Sequence, residues 1–138
     1  MNRVVLDTDI FSEILKARNT VIVSKAMEYK ENYDRFTISV ITVLEVVKGL
    51  HKIGRVDAEK KFLDGLRTIE VLPFDENCSI TAGRIFADLE KTGQPIGRAD
   101  PMIAAIAMQH NLAVVTGNTA HYERIQKLGY SLRLDNWR

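Results

Sequence analysis

The stretch Arg3-Val4-Val5-Leu6-Asp7-Thr8-Asp9-Ile10 constrains the fold most, because an unbroken aliphatic run ends there in two carboxylates. A strand with one wet face alternates apolar and polar residues. A continuous β-branched and aliphatic run marks a strand covered on both faces, as in parallel sheets, or else a short buried helical segment. As a strand, its C-terminal end delivers Asp7 to the crevice where open α/β sheets place their ligands. Leu112-Ala113-Val114-Val115-Thr116 has the same character. If the two runs are central neighbours in a doubly wound sheet, Asp7 and the Thr116-Gly117-Asn118 turn share one crevice.

The remaining segments alternate between strand-like and helix-like patterns, with no linker or repeat between them. Helices are expected from Asp9, as a cap, to about Lys16, from Val21 to Tyr29, and from Val40 to Lys52 with Gly54 closing it. Ala58, Phe62, Leu63 and Leu66 stand at helical spacing. Asp75 caps the clearest helix, whose stripe is Cys78, Ala82, Ile85, Phe86 and Leu89 and whose end is Gly93. Asp100-Pro101 opens a further helix to about His110, rich in small residues that allow close packing on a sheet. Further strands are expected at Arg35–Ile38, Ile69–Leu72 and Leu132–Leu134. This alternation predicts a three-layer α/β/α sandwich with a mainly parallel sheet of four to five strands, as a single domain over residues 1–138.

Composition narrows the function. A hydrophobic share of 46% and a charged share of 27% are those of an ordinary globular protein. Nineteen Lys plus Arg against 18 Asp plus Glu leave a formal charge of +1, so a phosphate-bearing substrate needs a local basic patch or metal ions. The single cysteine, Cys78, excludes an internal disulfide and a cysteine-rich zinc site and suits a reducing compartment. Its place on a helical stripe marks it as packing. With no long apolar run and no signal pattern at the N-terminus, a cytoplasmic location is expected.

Three carboxylates stand out by position: Asp7 at the strand tip, Glu45 inside the third helix, and Asp100 at a helix start. Carboxylates gathered without His or Cys favour hard cations such as Mg²⁺ or Mn²⁺. Such an ion relieves their mutual repulsion and neutralises phosphate charge, as phosphodiester hydrolysis requires. Each residue also has a structural reading. Asp7 can begin a turn and Asp9 can cap a helix. Asp100 can accept backbone N–H bonds as a cap, and Glu45 shares a polar stripe with Thr42, Lys48 and Lys52, opposite Val40, Val43, Leu44, Val47 and Leu50, which by default is solvated. His51, His110 and His121 show no ligand spacing.

Four motifs in order, Leu6-Asp7-Thr8-Asp9, Ile38 to Glu45 with Gly49, Asp100 to Ala105, and Val115 to Thr119, resemble those of PIN-domain ribonucleases, most nearly the VapC-type toxins of bacterial toxin–antitoxin pairs. The resemblance extends over essentially the whole chain, through Tyr122-Glu123-Arg124-Ile125 to Leu134-Asp135-Asn136-Trp137. It implies a PIN-like fold and a Mg²⁺- or Mn²⁺-dependent endoribonuclease, commonly dimeric, inhibited by a small antitoxin. The metal is then held at Asp7, Glu45 and Asp100, and the RNA is a structured one, such as a tRNA loop. On this reading Asn118 is a weak or outer ligand, and Thr8, Ser39 and Thr116 hold the ligands or waters by their hydroxyls. Lys48, Lys52, Arg98 and Arg124 are candidates for phosphate contacts. Phe11, Ile14, Val21 and Ile22 are candidates to line an antitoxin groove, unless they are core.

The chain also departs from the family pattern. Asp9 replaces a frequent Asn, the neutral Asn118 stands where many relatives carry an acid, and His121 occupies another commonly acidic position. Asp9 either caps a helix or offsets the charge missing at Asn118. Two other classes fit parts of the pattern. Asp7-Thr8-Asp9 matches the aspartate pair of haloacid-dehalogenase-type phosphatases, and a catalytically inactive PIN-like binding module would keep the fold alone.

Overall fold

A computed structural model of the chain describes residues 1–95 and 99–138. The five strands are β1 (Val4–Leu6), β2 (Thr37–Ser39), β3 (Glu70–Leu72), β4 (Ala113–Val115) and β5 (Leu134–Asp135). Among them run α1 (Thr8–Lys16), α2 (Thr20–Tyr33), α3 (Val40–Lys52), α4 (Val56–Gly65), α5 (Glu76–Lys91), α6 (Asp100–Gln109) and α7 (Thr119–Lys127). The sheet order is β3-β2-β1-β4-β5 and every pairing is parallel. The two aliphatic runs are therefore central neighbours, with Val4 opposite Ala113, Val5 opposite Val114 and Leu6 opposite Val115. Chain order reverses between them, which makes the carboxyl ends of β1 and β4 the switch point.

Period-two geometry explains the run that opened the sequence. Val4 and Leu6 join Ile10, Phe11, Ile22, Tyr29, Ile38, Val115 and Trp137 in one core, whereas Val5 faces the other core with Val114, Ile85, Ile103, Ile106 and Tyr122. Helices α1–α4 line the first core and α5–α7 the second. Ala104, Ala105 and Ala107 bring α6 close to the sheet, as their small side chains predict.

Several elements differ from the sequence reading. Asp7, not Asp9, is the N-cap of α1 and accepts from the Thr8 amide at 2.8 Å. Helix α2 runs longer than expected: Asn19 caps its start, its Oδ1 accepting from the Ile22 amide at 3.0 Å, and its far end continues to Tyr33, where Asp34 at φ 70° is the C-cap. The last strand starts at Leu134, where it pairs with Val114, rather than at Leu132. Ala99 is the N-cap of α6, so the Asp100 carboxylate is not used as a cap. Phe11 and Ile22, candidates for a partner groove, are buried in the core beside the partly buried Ile14, and only Val21 of that set is exposed. Among the described residues, no helix is long and apolar enough to cross a membrane.

Candidate active site

The site is built at the switch point. The Asp7 amide donates to the Val115 carbonyl at 2.9 Å, locking the end of β1 to β4, and the Asp7 carboxylate is then fixed at both oxygens. Oδ1 accepts from the Thr8 amide at 2.8 Å and Oδ2 from the Thr116 hydroxyl at 2.8 Å. Thr116 is held in turn, its Oγ1 accepting from the Asn118 amide at 2.9 Å. The Thr116 hydroxyl thus holds the Asp7 carboxylate, as the Thr8 hydroxyl holds that of Glu45. Ser39, expected to act in the same way, instead caps α3, its hydroxyl accepting from the Thr42 amide at 3.2 Å.

Helix α3 turns a different face inward from the one its pattern suggests. Thr42 is fully buried while Leu44 is 59% exposed, so the Thr42 and Glu45 side of the helix approaches α1. The Thr8 hydroxyl donates to Glu45 Oε1 at 2.6 Å and lies 2.9 Å from the Thr42 hydroxyl. The solvated-face reading of Glu45 fails because Val and Leu occur all round this helix. The hydrogen bond to Thr8 comes from a residue far away in sequence.

Asp100 meets the site from α6, and His121 Nδ1 donates to its Oδ2 at 3.1 Å. Asp9 reaches across the crevice: its Oδ2 accepts from the Gly117 amide at 2.9 Å, and its Oδ1 from the Ile10 amide at 2.8 Å. A side chain at Gly117 would meet this carboxylate, since an added Cβ would lie 2.6 Å from Asp9 Oδ2 and 3.1 Å from Arg138 Cζ. Asn118 is exposed at the start of α7, and among the described residues its side chain makes no hydrogen bond. Lys48 and Lys52 are exposed on α3, Arg124 is partly buried on α7, and Arg98 lies outside the described residues.

The electrostatics follow from this geometry. Burial, followed by the charges of Asp9 and Asp100 and against the pull of its hydrogen bonds to Thr116 and Thr8, pushes the Asp7 carboxyl up to about 7. Burial also raises Asp100 above the usual carboxylate range, with Glu45 adding to the rise and His121 and the Tyr122 hydroxyl opposing it. Burial and then the Asp7 and Asp100 charges hold the Tyr122 phenol well above its ordinary value. Among the described residues no lysine or arginine pairs with Asp7, Asp9, Glu45 or Asp100, and His121 is the one basic side chain against them, on Asp100. Nor, as placed, do any three His, Cys, Asp or Glu side chains among the described residues stand close enough to hold an ion.

The order of these motifs, on this sheet, is shared with known proteins. The PIN-domain model matches residues 4–128. The chain belongs to the PIN-domain family. It is 35% identical over 107 residues to the tRNA(fMet)-specific endonuclease VapC of Salmonella typhimurium, covering 77% of this chain and 78% of that protein. With the tRNA(fMet)-specific endonuclease VapC of Shigella flexneri it shares 29% identity over 138 residues, 99% of each. The DNA-bound VapBC crystal structure from Salmonella typhimurium superposes with a TM-score of 0.82 at 31% identity, covering both chains fully. VapBC2 of Rickettsia felis, bound to a DNA fragment from its promoter, gives 0.81 at 25%, covering 99% of this chain and 100% of that one. Membership of the PIN family sets aside the phosphatase reading of Asp7-Thr8-Asp9. Two residues of this PIN site, His121 and Tyr122, were not assigned a role from sequence; the only hint was a histidine beside an aromatic residue at a position where acids are frequent.

Proposed function

We propose that this chain is a divalent-metal-dependent endoribonuclease of the VapC type, cleaving a tRNA and held in check by a small antitoxin. The observation that carries the reading is the meeting of Asp7, Asp9, Glu45 and Asp100, from three separate segments, in one switch-point crevice where their charges act on one another. That donor set fits a hard divalent cation. All its donors are oxygens, burial first and neighbouring carboxylates second raise the Asp7 and Asp100 carboxyls, and the buried Tyr122 hydroxyl beside them makes no well-formed hydrogen bond. Closing on an ion requires that Glu45 and Asp100 turn toward the Asp7 carboxylate, which Thr8 and Thr116 hold in place. A bound Mg²⁺ or Mn²⁺ supplies phosphate neutralisation and an acidified water.

The chain's own residues do the rest. Asp7 and Asp100 are the ligands proper, and Glu45 is a ligand or a proton acceptor oriented by Thr8. Thr116 and the Thr8 amide keep Asp7 from rotating, and Asp9 pins the 116–118 turn that carries Asn118. Lys48, Lys52, Arg124 and the Arg138 guanidinium beside Gly117 are available to RNA phosphates around this acidic floor, which a net charge of +1 makes necessary. The names of the Salmonella and Shigella relatives support initiator tRNA as the substrate, and the VapBC complexes support an antitoxin partner.

Incubating the antitoxin-free protein with total tRNA and with a generic phosphomonoester, in Mg²⁺, Mn²⁺ or EDTA, tests the proposal. Metal-dependent tRNA fragments are expected. Intact RNA from a folded protein would instead favour an inactive binding module.

A further inference from the structure

Tyr122 on α7 is fully buried, and its hydroxyl is the one buried side-chain oxygen or nitrogen among the described residues without a hydrogen-bond partner. The ring is explained by packing in the core of α5–α7 and the sheet. The hydroxyl is not, since phenylalanine would fill the same space without leaving a polar group unpaired. Tyr29, equally buried in the opposite core, shows how this protein normally treats such a group. Its hydroxyl accepts from the Val4 amide at 3.2 Å and lies 3.3 Å from the Val4 carbonyl, to which it donates. Burial apart, Asp7, Asp100 and Asp9 act on the Tyr122 hydroxyl, which interacts with the Asp7 and Asp100 carboxylates without reaching hydrogen-bond geometry with either, so the donor lies against the acidic site. The preceding residue of α7, His121, already orients Asp100 Oδ2.

We propose that Tyr122 is a positioning residue of the acidic site, its hydroxyl donating its one proton to the Asp100 carboxylate when that side chain turns onto a divalent cation beside the fixed Asp7 carboxylate, and so holding Asp100 in register with Asp7. The inference rests on the metal-dependent reading above. In the metal-free protein the hydroxyl has no well-formed hydrogen bond to offset its burial; in the loaded protein it acquires one. A purely structural tyrosine would show the reverse.

Tyr122→Phe separates these cases. Mn²⁺ binding to the metal-free protein is measured by calorimetry, together with thermal unfolding in EDTA and cleavage kinetics on initiator tRNA. The expected result is a loss of about tenfold in Mn²⁺ affinity, in line with other groups that orient metal ligands. A lower kcat with unchanged KM for RNA should accompany it, with an unfolding temperature in EDTA equal to or above that of the parent. Unchanged Mn²⁺ affinity overturns the proposal whatever happens to cleavage, and so does a fall of several degrees in EDTA, which would make the hydroxyl structural. If the parent protein binds no Mn²⁺, the metal reading fails and takes this inference with it. If the parent binds Mn²⁺ but leaves RNA intact, only the ribonuclease reading fails, and the comparison of the two Mn²⁺ affinities still decides the role of Tyr122.

Discussion

Asp7 is buried, capped on both oxygens and surrounded by like charge, and these conditions pull in opposite directions. The hydrogen bonds from Thr8 and Thr116 favour its ionised form, but burial, Asp9 and Asp100 outweigh them and place its carboxyl at about 7. The folded chain therefore binds a proton at Asp7 that the unfolded chain releases near the ordinary value of 3.8. Stability of the metal-free protein should rise as the pH falls from about 7 toward 4, and the destabilisation should be fully present above 7. Asp7→Asn removes this conflict along with the ligand. In EDTA at pH 8 the variant should be more stable than the parent by on the order of 2 kcal/mol, read from thermal or urea unfolding, while tRNA cleavage is abolished. Equal stability would mean that Asp7 bears no uncompensated charge. Asp7 was legible from its place at the strand tip. The tie from Asp9 to Gly117 was not, because it joins residues 108 positions apart and depends on which strands become neighbours.

At the scale of elements, the turn between β4 and α7 and the caps of the early helices can be told apart by substitution. Gly117→Ala drives a methyl into the Asp9 carboxylate, which two backbone amides already hold in place. It should cost about 1–3 kcal/mol, as overpacking does, and lower kcat along with stability. Asn19→Ala removes the cap of α2, far from the carboxylates, and should cost about 1 kcal/mol with cleavage per folded molecule unchanged. If both variants lose activity in proportion to stability, the turn has no special relation to the site. The strands and most helices could be read from run length and capping residues. The inner face of α3 could not, since Val40, Val43, Leu44 and Val47 spread apolar character around it. Its inner face combines buried Ile41 and Val46 with a polar contact that no local pattern announces, Thr42 and Glu45 meeting Thr8 across the interface with α1.

Over the whole molecule, two cores separated by a parallel sheet leave one crevice where strand ends, a helix start and a tight turn converge. On the proposed metal-dependent reading, a cation would relieve the repulsion in this crevice, so a bound ion should stabilise the entire fold by mass action. At pH 8, Mg²⁺ at about 100 times its dissociation constant should add roughly 3 kcal/mol to unfolding, and neither Asp7→Asn nor Asp100→Asn should show the full gain. The doubly wound sheet was foreseeable because two aliphatic runs, each ending in polar residues, have few other ways to be covered on both faces. The contribution of α7, through His121 and Tyr122, was not, because nothing local in that helix signals which strand end it will face. The most direct test of the whole account is the rate at which purified antitoxin-free protein cleaves labelled initiator tRNA as Mg²⁺ is titrated, for the parent and for Asp100→Asn. Saturable, EDTA-quenched cleavage by the parent and at least a hundredfold slower cleavage by the variant are expected, at the upper end of the effects seen when oriented metal-site groups are lost. Cleavage that persists in EDTA, or that survives Asp100→Asn undiminished, would contradict the account.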